Sequence, residues 1–125
     1  MYSGQITDPH QHLWSYDNKY SHGWLQMKSH PWTGDWTMLA KSYVIEDYLE
    51  DIKNQNVTKS VHVEAEWADE PGAWGETIWL ENISKKYGFP NSIVGHINLL
   101  NDDVEHVINK HLESSEKFVG IRHNQ

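Results

Sequence analysis

At 125 residues the chain holds one domain at most, and its 38% hydrophobic and 12% aromatic content, with seven tryptophans, argues for a core and against disorder. No apolar run reaches the roughly 18 residues of a membrane span, and residues 1–5 show no basic stretch leading into an apolar one, so neither a membrane partner nor a signal peptide is expected. A formal charge of −8 opposes a nucleic-acid partner, whose phosphates need a basic face, and the absence of cysteine excludes disulfides and thiolate metal sites, which fits a cytoplasmic protein.

The first strand is expected over residues 4–13 and ends in Asp8-Pro9-His10-Gln11-His12-Leu13-Trp14. Side chains alternate along a strand, so His10 and His12 share a face. Such a pair can hold a metal ion or grip an anionic or carbonyl oxygen. Two solvated loop histidines beside a proline fit the same letters. Residues 14–43 form a long connection carrying Trp14, Tyr16, Tyr20, Trp24, Trp32, Trp36 and Tyr43. Loops of that length in a compact domain are mostly functional, so a lid or pocket wall is expected, against a satellite hydrophobic cluster with no ligand.

The spacing of Ile45, Tyr48, Leu49 and Ile52 predicts a helix over 45–55, with Glu46 and Asp47 in its first turn. Residues 58–66 alternate as a second strand, with Val61, Val63 and Ala65 on one face and Ser60, His62, Glu64 and Glu66 on the other. Glu70-Pro71-Gly72 opens a second helix, roughly 72–87, whose stripe is Ile78 or Trp79, Ile83 and Tyr87; Gly88 sits at its C-terminus and Pro90 follows. A third strand is expected over 92–99, with Ile93, Ile97 and Leu99 opposite Val94, His96 and Asn98. Asn101 suits the N-cap of a third helix with Asp102 and Asp103 in its first turn and Val104, Val107, Ile108 and His111 or Leu112 as its stripe. A fourth strand over 118–123 sets Val119 and Ile121 against Gly120 and Arg122.

Strand and helix alternate, which makes a parallel sheet, either open and doubly wound or closed as a (β/α)₈ barrel. In an open sheet strands tend to be apolar on both faces. Here one face carries Asp8, His10, His12, His62, Glu64, His96, Asn98 and Arg122, which suits a barrel whose polar face turns inward. A barrel takes about 250 residues. The expectation is therefore an α/β fold comprising the first half of a TIM-type (β/α)₈ barrel, one partial domain over 1–125 that ends after the fourth strand.

Reactive groups of a barrel gather at the C-terminal ends of the strands. That rule collects His10 and His12, then Glu64 and Glu66, then His96 and Asn98, then Arg122 and Asn124. Arg122 can clamp a carboxylate through two hydrogen bonds or only neutralise Glu64, and Glu64 can ligate a metal or pair with Arg122. His96 divides between the site and a structural role. His62, deeper in its strand, reads as a hydrogen-bonded interior residue. His22, His30, His106 and His111 are expected at the surface.

Asp8 to Trp14, Val61-His62-Val63-Glu64-Ala65-Glu66-Trp67, Val94-Gly95-His96 and Gly120-Ile121-Arg122 together resemble the amidohydrolase-related family of the amidohydrolase superfamily, nearest its sugar-lactone and 2-pyrone-4,6-dicarboxylate lactonases. The resemblance runs in register over nearly the whole chain. It implies a barrel hydrolase cleaving a lactone or related ester or amide of a small carboxylated or sugar-derived molecule. It makes His10 and His12 the catalytic pair, holding one divalent ion, zinc or manganese, or contacting substrate directly in a metal-free site. It makes Arg122 a carboxylate-binding residue, with Glu64 and His96 beside the substrate. The family's histidines of strands five and six and its strand-eight acid have no counterpart in these letters. The chain is therefore expected to be an N-terminal fragment without the parent activity, with an open sheet edge prone to self-association. A half-barrel that pairs with itself, and a non-catalytic binding module for a small acid, are the alternatives.

Overall fold

The structure, a computed structural model, describes residues 2–16, 22–27, 29–68 and 71–124. Tyr20 and Glu70, both singled out in the sequence, lie outside the described residues. Strand β1 (Ile6–Gln11) leads into the long connection, which holds a 3-10 turn at Gly23–Met27, the short strands β2 (Ser29–His30) and β3 (Gly34–Asp35), and a second 3-10 turn at Thr37–Leu39. Helix α1 (Ile45–Ile52), strand β4 (Val57–Val63), helix α2 (Trp74–Tyr87), strand β5 (Ser92–His96), helix α3 (Val104–Ser114) and strand β6 (Phe118–Arg122) follow. The main sheet has the order β1-β4-β5-β6 with every neighbouring pair parallel, and β2 pairs with β3 antiparallel. Among the described residues no helix is long and apolar enough to cross a membrane.

Helix α1 forms where its stripe predicts: Ile45 and Tyr48 are buried, and Leu49 and Ile52 pack beside them. The Val44 N–H donates to the Asp47 carboxylate, which satisfies one of the helix's open donors. Helix α2 ends on Gly88 at φ 81°, a left-handed conformation that favours glycine. Its buried face differs from the predicted one. Leu80 is fully buried, Glu76 and Thr77 are buried beside it, and Ile78 is 41% exposed. Trp79, Ile83 and Tyr87 still pack against the core from the flank. Helix α3 starts after Asp103 rather than Asn101; its buried residue is His111, while Leu112 is exposed. Leu99 is exposed too, since β5 ends at His96.

Register decides which face of the sheet meets the helices. Ile93 belongs to the core cluster with Leu13, Ile45, Tyr48 and Leu80, so it faces the helix layer. His62 is its partner across β4 and β5 and shares that face. The polar face of β4 therefore lies under the helices, and Val61 and Val63 face the other way. This corrects the expectation that His62 points into a barrel interior. Asp8 is corrected likewise, because it accepts a hydrogen bond from Tyr48 of α1 at 3.1 Å. Two register shifts then restore the site. One lies in β1 between Asp8 and Gln11, where Pro9 has no N–H for the ladder, and it brings His10 round beside His12. The other lies in β6, so that Phe118 pairs with Ile93 on the helix side while Arg122 pairs with His96 on the opposite face.

The long connection closes on itself. Trp14 and Tyr43 form an antiparallel bridge with N–H to carbonyl distances of 2.9 and 3.0 Å, pinning the ends of the loop together.

Candidate functional site

His10 and His12 bring their Nε2 atoms to 3.1 Å from each other. The Nδ1 of His12 lies 2.7 Å from the Val63 carbonyl oxygen, which only accepts, so Nδ1 carries the proton and Nε2 presents a lone pair. His10 then donates from Nε2 across the pair. Burial, and the nearby His10 and Arg122, push the His12 pKa down, although the bond to Val63 works against this. A neutral His12 is the form that a metal ion or a proton needs.

Next to the pair, Glu64 is fully buried and held from several sides. The Arg122 guanidinium donates from Nε to Glu64 Oε1 at 2.6 Å and from Nη2 to the Glu64 carbonyl at 2.7 Å. Asn124 donates to the same carboxylate oxygen at 3.3 Å, and the Glu66 N–H donates to Oε2 at 2.8 Å. His96 Nδ1 stands 3.8 Å from Oε2. The structural ion pair foreseen between Glu64 and Arg122 is thus present, and it engages the guanidinium through Nε and Nη2. Glu66 turns outward at φ 59°, a left-handed conformation that breaks the strand's alternation.

Behind this layer lies a set of buried histidines. His62 Nε2 accepts from the Leu13 N–H at 2.9 Å, so its proton sits on Nδ1, 3.5 Å from Glu76 Oε1. Burial drives the His62 pKa down to about 3 and the Glu76 pKa up to about 8. Glu76 also accepts from the Ala65 N–H at 3.0 Å and so ties the end of β4 to α2. His111 bridges Thr77 Oγ1 at 2.8 Å and the His96 carbonyl at 3.0 Å and stacks on Phe118 at 4.7 Å. A Cβ at Gly95 would stand 2.6 Å from that ring, so the strand approaches α3 only as glycine. His22, buried to 1% exposure, accepts from the Ser15 N–H at 3.1 Å, and burial lowers its pKa to about 4. The expected surface placement of His22 and His111 is therefore wrong. Loop or helix position carries no sign of burial, and a lone histidine on an otherwise apolar helix stripe was the available hint for His111.

A cavity of about 400 Å³ opens beside His12. Trp14, Trp24, Trp36 and Leu39 of the long connection line it together with Glu64, Ala65, Glu66 and Arg122. The long connection is thus a pocket wall. Of the residues predicted for the site, His12, Glu64 and Arg122 meet in this cavity and His10 touches His12. His96 instead lines two neighbouring cavities and reaches the site through Glu64.

As a metal centre the pair fits in part. Two nitrogens on one tetrahedral zinc, each about 2.0–2.1 Å from it, stand about 3.3 Å apart, near the separation seen here. The hydrogen bond from His12 to Val63 is the backing that a ligating histidine usually has. Among the described residues no group of three or more histidine, cysteine or acidic side chains is arranged to hold a metal. His10 and His12 are thus two candidate ligands, and a complete ligand set is absent among the described residues.

The architecture is that of part of a TIM-type (β/α)₈ barrel. A crystal structure of an amidohydrolase from Burkholderia multivorans with bound zinc superposes with a TM-score of 0.68 at 20% identity, over 96% of this chain and 37% of that one. A second crystal form with bound HEPES gives a TM-score of 0.66 at 21% identity over the same shares. In sequence, an uncharacterized protein of Sinorhizobium fredii is 41% identical over 118 residues, which are 94% of this chain and 39% of that protein. The chain thus spans about two fifths of the length of the relatives it matches. No protein-family model matches it.

Proposed function

We propose that this chain contributes the histidine-bearing part of a hydrolytic site that adds water to the carbonyl carbon of a lactone, ester or amide. The convergence of the His10 and His12 Nε2 atoms, with His12 held in one tautomer at the edge of an aromatic cavity, carries this reading. The zinc in the superposed amidohydrolase supports it. A divalent ion bound here would polarise a carbonyl oxygen and lower the pKa of water. His12 offers an unprotonated Nε2, and Val63 fixes the direction of its lone pair. His10 completes the grip on an ion, or in a metal-free site donates its N–H to the carbonyl oxygen. Glu64 and Arg122, locked together, form the floor, and the tryptophans exclude water from the reacting bond.

The test is calorimetric titration with Zn²⁺ and Mn²⁺ of the wild type and of His10→Ala and His12→Ala. A saturable heat that both substitutions abolish is expected, and a heat that survives both would sink the metal assignment. A panel of sugar lactones, pyrone dicarboxylates, esters and amides tests the chemistry. Turnover unaffected by His12→Ala would refute the catalytic role.

A further inference from the structure

We propose that the cavity beside His12 binds an organic cation, an alkylammonium group carried by the molecule that the site handles. The inference rests on the reading above for its location and adds the substrate class. The aromatic wall has spent its hydrogen-bond donors. The Trp14 indole N–H donates to the Lys41 carbonyl at 2.7 Å, Trp24 to the Ala65 carbonyl at 2.8 Å and Trp36 to Thr33 Oγ1 at 2.6 Å. What remains there for a ligand is carbon and π surface. The rings do not lie flat along one plane. Trp14 and Trp24 are inclined at 63° with centroids 6.1 Å apart, and Trp24 and Trp36 at 89° with centroids 5.4 Å apart. Indoles set at steep angles around a cavity suit a round, weakly hydrated cation, which each ring attracts through its quadrupole.

The charges of the other lining residues favour the same ligand. The Arg122 guanidinium is committed to Glu64 through Nε and Nη2. Glu66 also lines the cavity, and among the described residues no cation pairs with its carboxylate. With no ion on the histidine pair, the acidic and basic side chains lining the cavity are two carboxylates against one guanidinium, within a chain of formal charge −8. A carboxylate ligand would meet Glu66 and an arginine whose charge Glu64 already offsets. A neutral apolar body would fill the box and leave Glu66 without a counter-charge. An alkylammonium group uses both the indoles and Glu66.

Choline and its neutral carbon isostere, 3,3-dimethylbutan-1-ol, differ in the charge and little in shape. Titration of the whole chain with each, and with glutarate as the anion, followed by NMR shifts of the indole N–H signals, reads the preference. Choline is expected to bind about tenfold or more tightly than the isostere, the margin of a desolvated cation over aromatic faces. Glu66→Gln, an exposed position, is expected to remove most of that margin and leave the isostere unchanged. Equal affinity for the two, tighter binding of glutarate, no saturable choline binding, or a preference unmoved by Glu66→Gln would overturn the proposal. Choline has no carbonyl and is titrated without metal. The zinc titration therefore reports on the histidine pair and the choline titration on the aromatic box, so either reading can fail while the other stands.

Discussion

Raising the pH from 6.5 to 8 is expected to remove the stability that one buried carboxyl group, Glu76, contributes. That side chain is 3% exposed, and its pKa is pushed up from 4.5 to about 8, first by burial and then by the charge of Glu64; hydrogen bonds from the Ala65 and Trp67 backbones and the Arg122 charge oppose the rise. A folded pKa above the unfolded one means that the native state keeps a proton which the unfolded chain has lost. The Glu76 contribution is then full below pH 4.5 and falls as the pH climbs to 8, by about 1.4 kcal/mol per pH unit. The buried histidines mask this slope. His62 and His22, lowered to about 3 and about 4, together with His12 and His111, are neutral when folded and take protons when unfolded. Their contribution grows with pH and is complete only near pH 8, because the unfolded histidines are still half protonated at about 6.5. Between 6.5 and 8 it offsets most of the Glu76 loss of about 2 kcal/mol, so that loss is read against a variant with the same histidines. Glu76→Gln keeps an acceptor for the Ala65 N–H and removes the titration. Urea unfolding of both proteins at three pH values across that window, followed by far-ultraviolet circular dichroism, should show the variant gaining about 2 kcal/mol on the wild type. Parallel profiles for the two proteins would refute the reasoning.

Two further substitutions probe the packing around the site. Arg122→Met strands the fully buried Glu64 carboxylate and is expected to lower stability by about 3 kcal/mol, the lower end for breaking a buried pair because the arginine is partly exposed; an unchanged urea midpoint would show that Asn124 and the Glu66 N–H suffice. Leu80→Ala opens a cavity between α2 and the sheet and is expected to lower stability by about 2–5 kcal/mol without changing the slope of the urea transition.

The order of elements was legible because periodicity reports it directly: Ile45, Tyr48, Leu49 and Ile52 mark α1, and Gly88 marks the end of α2. The side to which each strand face turns was less legible. Polarity alone assigned His62 to the interior of a barrel, but α2 brings its own polar partner, Glu76, to meet it beneath the helix layer. A buried carboxyl on a helix stripe is invisible to a rule that equates buried with apolar, and for the same reason Ile78 looked like core where Thr77 and Leu80 are. The candidate site residues were chosen at strand ends, yet Asp8 and His10 reach opposite faces by a register shift that no alternation rule contains. The pocket wall was foreseeable as a wall, since the tryptophans and tyrosines of residues 14–43 favour burial, but Trp32 stays 89% exposed and the indoles that line the cavity are Trp14, Trp24 and Trp36.

The long connection, closed by the bridge between Trp14 and Tyr43, has an optical consequence. It gathers Trp14, Trp24 and Trp36 into a chain of indoles with neighbouring centroids 6.1 and 5.4 Å apart, and Trp36 lies stacked on His30 at 5.5 Å. Indole transition dipoles this close and this steeply inclined are expected to couple to one another, giving paired bands of opposite sign in the circular dichroism. The fold thus carries an intrinsic reporter on its long connection. Loosening of that segment would uncouple the rings and erase the couplet, even while the sheet and its helices kept their own signal.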